Sequence, residues 1–378
     1  MLVPPPGLTD AVRTEVTEQV TFFGQGLSIR AVPFVQQDSQ LGRCAHAAAW
    51  VCHYTAHRRG EVGRRTMAAF SLHADPSLGF GRPLPSGGLT VQQLLELLRI
   101  FELPPILYDV SQLPPTPKVP WADPDPTPPA NDPDAHPGLW DIRIIPICCR
   151  YLNSGYPVLV ATQDHAFVLC GYQRVPRAGQ GDWIRFIRHD DQRGPYLTVD
   201  DVLHDVSADG YKYSPWQALI VPLPEKLWLS PEPAERTGGA AMQAVATALS
   251  SGFPDSKALL DLINARQLAL RTYATTANRF KAELDRRQVD VILIREYRLA
   301  RFSRLIWVVE AVDRRRRAQG DPAVIGEAIL DATSSDHDPQ FLAIHVPGVA
   351  WVHRTKGPAR FPIVCAPGAY HSGGIGLP

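Results

Sequence analysis

The chain has 378 residues, 45% of them hydrophobic and 20% charged, and 38 basic side chains balance 38 acidic ones. That length fills one large core or two modest ones, and zero formal charge gives no electrostatic reason to expect nucleic acid or an anionic membrane as partner. No apolar run approaches the roughly 20 residues of a membrane span, and the opening MLVPPPGLTDAVRTE lacks the basic start and apolar stretch of a signal peptide, so a cytoplasmic protein is expected.

Residues 18–35, EQVTFFGQGLSIRAVPFV, read as extended structure. From Cys44 to about His57 the sequence is alanine-rich, apolar at Ala45, Ala48, Ala49 and Cys52, and stopped by Gly60, which predicts a helix. A second helix is expected over 88–102, where Thr90 can cap and Leu94, Leu95, Leu97 and Leu98 give an apolar face. Residues 113–138 hold ten prolines between Pro114 and Pro137, too many for helix or central strand, and read as an exposed insertion. Strands are predicted at 156–161 (YPVLVA), 165–172 (HAFVLCGY), 183–190 (WIRFIRHD) and 216–223 (WQALIVPL), with Gln163-Asp164 and Gly194-Pro195 as turns. Helix first and sheet later indicates an α+β architecture.

The stretch PEPAERTGG from 231 reads as a boundary. It separates residues 1–230 from an accessory region over 231–378, for which an α/β or α+β arrangement is expected. There, helices are expected at 240–250 and 256–287, strands at 304–312, 325–333 and 341–346, and a loose tail from Ala366.

Six cysteines, at 44, 52, 148, 149, 170 and 365, show neither a disulfide framework nor a C-x-x-C pair, so most are expected to be small core residues. Cys44 differs because it opens its helix, where free N–H groups and the helix dipole favour a thiolate. His165 opens a buried-type strand after a turn, and Asp190 or Asp191 ends the next strand, so a base and an orienting acid follow the thiol in chain order.

GRCAHAAAW followed by DHAFVLCGY resembles the papain superfamily, in which a Cys caps the central helix and a His lies in an H-A-x-x-x-x-G-Y-like strand. The QQDS lead-in, GLTVQQLLELLR and GYPVLV are more similar to its compact bacterial branch, which includes peptidases that trim double-glycine leaders. The resemblance spans roughly residues 30–200. It implies a papain-like fold, with a Cys helix packed on an antiparallel sheet that carries His and Asp. It also implies thiol-dependent hydrolysis of a peptide or amide bond through Cys44, His165 and Asp190, with Asp191 as the alternative acid. The family's oxyanion Gln usually stands six residues before the Cys, where this chain has Asp38. Gln37 is the expected substitute, with Gln36 and Gln40 as alternatives and the Cys44 backbone N–H as second donor. Ala45 follows the nucleophile where Gly is common. The resemblance implies a protein or peptide substrate and no metal or organic cofactor. Deamidation or acyl transfer by the same triad, or a non-catalytic peptide-binding shell, are the other functions compatible with it.

Three further features stand out. His46, His53 and His57 share a helix at spacings open to metal ligation, although surface positions are the expectation. Glu310 and Asp331 interrupt apolar strands near Trp307 and are expected to tie the second region together. The run Arg314–Arg317 reads as a solvated helix end or turn.

Overall fold

A computed structural model describes residues 1–8, 11–36, 44–73, 88–113, 143–177, 181–199, 210, 212–353 and 362–373. The expected Pro-rich insertion therefore falls, beyond Leu113, outside the described residues. Internal contacts divide the chain into two units between Glu225 and Lys226.

The first unit comprises β1 (Val12–Arg13), β2 (Val16–Phe22), β3 (Gln25–Ala31), α1 (Cys44–Arg58), α2 (Met67–His73), α3 (Val91–Ile100), β4 (Pro105–Asp109), α4 (Ile144–Asn153), β5 (Val158–Ala161), β6 (Ala166–Arg177), β7 (Gly181–Asp190), β8 (Gly194–Val199) and β9 (Ala218–Pro222). The extended stretch expected over 18–35 folds back on itself, because Phe23 and Gly24 take positive φ of 47° and 77° and turn β2 into β3. The main sheet runs β4-β9-β5-β6-β7-β8, with β1 also pairing to β6, and its pairings are antiparallel.

Small residues set the helix-on-sheet contact. Ala45, Ala48, Ala49 and Cys52 of α1 let the helix backbone come close to Leu159, Ala166, Val168 and Ile220 of the sheet. Leu94, Leu97 and Leu98 of α3 join the same core, and Thr90 caps α3 in a reciprocal capping box with Gln93. The G-Y of the His motif has a steric cause. At Gly171 a Cβ would lie 2.3 Å from the Val12 carbonyl oxygen, because β1 crosses there and the β6–β7 register shifts beside it. Tyr172 donates to Asn153 Oδ1 of α4 at 2.8 Å, so each residue of the pair fastens a neighbouring element.

The second unit holds α5 (Pro231–Leu249), α6 (Lys257–Asn264), β10 (Leu268–Thr276), α7 (Ala277–Glu283), α8 (Val291–Leu299), β11 (Leu305–Asp313), α9 (Arg314–Ala318), β12 (Val324–Asp331), β13 (Phe341–Val346), β14 (Val349–Val352) and β15 (Ile363–Val364). Its six strands pair antiparallel in chain order, so the region is α+β and the α/β expectation is corrected. PEPAERTGG is not a linker but the first half of α5, since Pro231 sits in the first turn, where its missing N–H has no cost. The single helix expected over 256–287 is instead helix, strand, helix. Arg266 at φ 53° ends α6, and the β-rich LALRTYATT becomes β10 against β11. The run Arg314–Arg317 forms most of α9, whose N-cap is Asp313.

The tail is also ordered as far as Gly373. Tyr370 bridges to Val324, and the Gly373 N–H donates to Glu310 Oε1 at 2.8 Å. Glu310 is fully buried, as expected of a tie. It belongs to a row of ionisable residues in register across four strands: Arg271 opposite Glu310, Glu310 opposite Glu327, and Glu327 opposite His345. Arg287 bridges the two carboxylates at 3.0 and 2.7 Å, and Arg271 meets Glu310 Oε2 at 3.1 Å. Trp307 is buried and donates to the Leu229 carbonyl, while Asp331 is half-buried and binds Ser303 and the Thr333 backbone. No helix of the described residues is long and apolar enough to cross a membrane.

Candidate active site

Cys44 is the first residue of the fifteen-residue α1, so its backbone N–H is one of the donors that helix geometry leaves free. Its side chain is half-buried. The other thiols separate clearly. Cys52, Cys148, Cys170 and Cys365 are buried, and burial pushes each up, Cys52 and Cys365 to about 12. Cys149 is the one other half-buried thiol.

His165 is presented by the tight turn between β5 and β6. Its backbone N–H donates to Thr162 Oγ1 at 3.0 Å, and the Thr162 N–H returns a bond to the His165 carbonyl at 2.9 Å. The turn expected at Gln163-Asp164 is thereby locked by Thr162, which also donates to Asp164 Oδ1 at 3.2 Å. The imidazole side chain is only 8% exposed. Its Nε2 stands 3.1 Å from Asp190 Oδ2 and 4.0 Å from Asp191 Oδ1. The nearer contact has ion-pair distance, but the ring N–H axis is off line with the oxygen and makes no aligned hydrogen bond.

Burial alone would lower the His165 pKa. The adjacent Asp190 and the Cys44 thiol outweigh it and raise the ring from 6.5 to about 10. With Nε2 turned toward the carboxylates, Nδ1 is the ring nitrogen left for the sulfur.

Asp190 does two jobs with its two oxygens. Oδ1 accepts the backbone N–H groups of Gln192 and Arg193, each at 3.0 Å, and so forms the β7–β8 turn. Oδ2 faces His165 and accepts the Tyr213 hydroxyl at 2.7 Å. One side chain thus forms the turn and faces the imidazole. Burial opposes its charge, yet His165, Tyr213 and the turn N–H donors hold the carboxyl down at about 2. Asp191, the alternative acid, is buried but farther from the ring.

Among the oxyanion candidates, Gln37 and Gln40 lie outside the described residues, and Gln36 is exposed. The lead-in to α1 is fastened from the sheet: Val32 N–H donates to the Tyr196 hydroxyl at 3.2 Å, and His189 Nδ1 lies 3.1 Å from the Pro33 carbonyl.

His46 and His53 are buried rather than on the surface. His53 packs edge-on against Phe70 and Phe101, and burial, with help from His57 and Arg65, lowers it to about 4, as befits a neutral core histidine. Among the described residues, the set whose ligand atoms lie within 4.8 Å of one another, close enough to share a cation, is His165, Asp190 and Asp191.

Sequence reasoning missed Tyr213 and Arg188. Arg188 is fully buried, with its guanidinium carbon 3.7 Å from the Tyr213 ring centroid and 5.1 Å from that of Phe167. The available signals were a cation inside an apolar strand and a Tyr-Ser-Pro-Trp segment just before β9.

No family model and no curated protein matches the sequence.

Proposed function

We propose that the first unit is a papain-like thiol hydrolase acting on a peptide or amide bond, with Cys44 as nucleophile, His165 as base and acid, and Asp190 as the orienting group. The observation that carries it is the convergence of three side chains from three elements: a half-buried thiol at a helix start, a buried imidazole beside it, and an ionised carboxylate behind the ring. Four of the other five cysteines are buried, with thiols pushed up, so the same chemistry is denied to them.

The imidazolium of His165 supplies the charge with which a Cys44 thiolate pairs. The sulfur adds to the carbonyl carbon, and the oxyanion is met by the free N–H at the start of α1 and by the Gln37 side chain. His165 passes its proton to the leaving nitrogen as the C–N bond breaks, which leaves a thioester. It then takes a proton from water as the water oxygen attacks, and the acid is released with the thiol restored. The substrate proposed is a protein or peptide, the compartment the cytoplasm, and the chemistry needs no metal or organic cofactor.

The test is alkylation of the full chain with iodoacetamide at mildly acidic pH, read by peptide mass. Cys44 is expected to react well ahead of Cys149 and to lose that advantage in His165→Ala. Slow labelling of both at equal rates would overturn the enzyme reading in favour of a binding shell. Products formed from a candidate substrate then separate peptide cleavage from deamidation and from crosslinking to an amine.

A further inference from the structure

Residues 213–217 lead into β9, with the Gln217 N–H donating to the Ala161 carbonyl at 2.9 Å. One side chain in this stretch reaches the triad. Tyr213 donates to Asp190 Oδ2, the oxygen that faces His165.

The Tyr213 ring is itself held. Arg188 lies over one face at 3.7 Å, Phe167 meets it edge-on with centroids 5.8 Å apart, and the His165 ring is 6.2 Å away. A cation over the π face withdraws electron density from the phenol and makes its O–H a stronger donor. Arg188 and Asp190 are two residues apart on β7, and both meet Tyr213, the guanidinium over its ring and the carboxylate at its hydroxyl.

We propose that Tyr213 is a brace that positions the orienting acid Asp190, and through it the catalytic base, with Arg188 strengthening the Tyr213 hydroxyl as a donor. This rests on the thiol-hydrolase reading and deepens it. Asp190 Oδ1 is engaged by the turn, and among the described residues Oδ2 is held by Tyr213 and faced by the imidazole. Because the His165 N–H is off line with that oxygen, the imidazole alone is a poor fixture. Tyr213 holds the carboxylate in place and keeps it ionised.

The groups around Asp190 are His165 from the β5–β6 turn, Tyr213 before β9, Asp191 beside it, Arg188 of β7 against the Tyr213 ring, and Cys44 beyond the imidazole. Of these, Tyr213 is the neutral donor whose removal leaves every charge in place. Hydrogen bonding to a carboxylate favours its charged form, so losing that donor moves the Asp190 midpoint upward from about 2 toward the ordinary 3.8.

The test uses the full chain and two variants. Carboxylate NMR of 13C-labelled aspartate, with Asp190 assigned by its absence in Asp190→Asn, gives the midpoint directly. Tyr213→Phe, which keeps the ring and the Arg188 stack, is expected to raise it by about one pH unit. Reaction of Cys44 with 2,2′-dipyridyl disulfide should then fall about twofold at pH 3, where half of the Asp190 carboxyls become protonated, and stay unchanged at pH 7. An unmoved Asp190 midpoint in Tyr213→Phe, or equal losses at both pH values, overturns the brace. If wild-type Cys44 shows no preferential reactivity, it is the hydrolase reading that fails, and the Asp190 midpoint still tests what Tyr213 does.

Discussion

Asp190→Asn isolates the charge on which the base depends. The substitution keeps the size of the side chain and an oxygen for the β7–β8 turn, but removes the negative charge 3.1 Å from His165 Nε2. In the native site the imidazole is held at about 10 against a burial penalty that acts downward from 6.5, and Asp190 is the leading upward influence. Without it the ring should titrate near 6.5 or below. At pH 8.5 the imidazolium would then drop from nearly the whole population to about a hundredth of it. The same linkage bears on stability. A base whose folded pKa lies above its ordinary value contributes stability that is complete below 6.5 and lost as pH rises through about 10, on the order of a few kcal/mol for a side chain this buried. The variant should lack that alkaline loss. Histidine Cε1–H NMR on the full chain, with the resonance assigned by its absence in His165→Gln, reads the midpoint. Asp191→Asn, which alters a carboxylate 4.0 Å away, should move it far less. A His165 midpoint that stays near 10 in Asp190→Asn, or falls only in Asp191→Asn, refutes the assignment of the orienting acid.

Two other outcomes test the scaffold. Gly171→Ala drives a Cβ to 2.3 Å from the Val12 carbonyl oxygen, a clash of backbone that β1 relieves only by leaving β6; a loss of about 3 kcal/mol is expected, seen as an earlier thermal transition of the first unit. Glu310→Ala leaves Arg271 without its carboxylate and the Gly373 N–H without its acceptor inside a buried cluster; a loss of about 3–5 kcal/mol should appear as faster amide hydrogen exchange in β10–β12, with the exchange of α1 and β6 unchanged.

The elements that position the candidate site were legible because each carries a local cause. The alanine run from Cys44 specifies both a helix and a close approach to the sheet, and α1 begins at Cys44 as expected. The His165 strand announced itself through apolar β-rich residues after a turn, and the glycine six positions on records the crossing of β1. What sequence could not give was the long-range part. Tyr213 and Asp190 are joined across twenty-three positions by one hydrogen bond, and no periodicity marks either residue as half of a pair. Errors in the second unit have a similar origin. The stretch 256–287 is rich in helix formers at both ends, so the strand at its centre, defined by nine residue pairs with β11, was hidden by its flanks. The tail looked loose because Gly373 has no side chain to advertise burial, yet its N–H and carbonyl serve Glu310 and Arg271.

Buried ionisable groups occur in both units, and comparing them shows what separates a candidate site from a tie. Glu310, Glu327 and Arg287 are more deeply buried than His165, and Arg287 is pushed well above its ordinary range by the two carboxylates and the tyrosines around it, against burial. Perturbation alone would rank that cluster first. Its contacts, however, join charges to charges and to the backbone of the tail at His371 and Gly373, and the group contains no nucleophile. In the first unit the chain of contacts runs from a neutral hydroxyl through a carboxylate and an imidazole to a thiol that is still half-exposed at a helix start. Charge is led toward an accessible sulfur there, whereas in the second unit it is closed on itself. That directionality, more than the size of any one pKa change, is why the chemistry is assigned to Cys44.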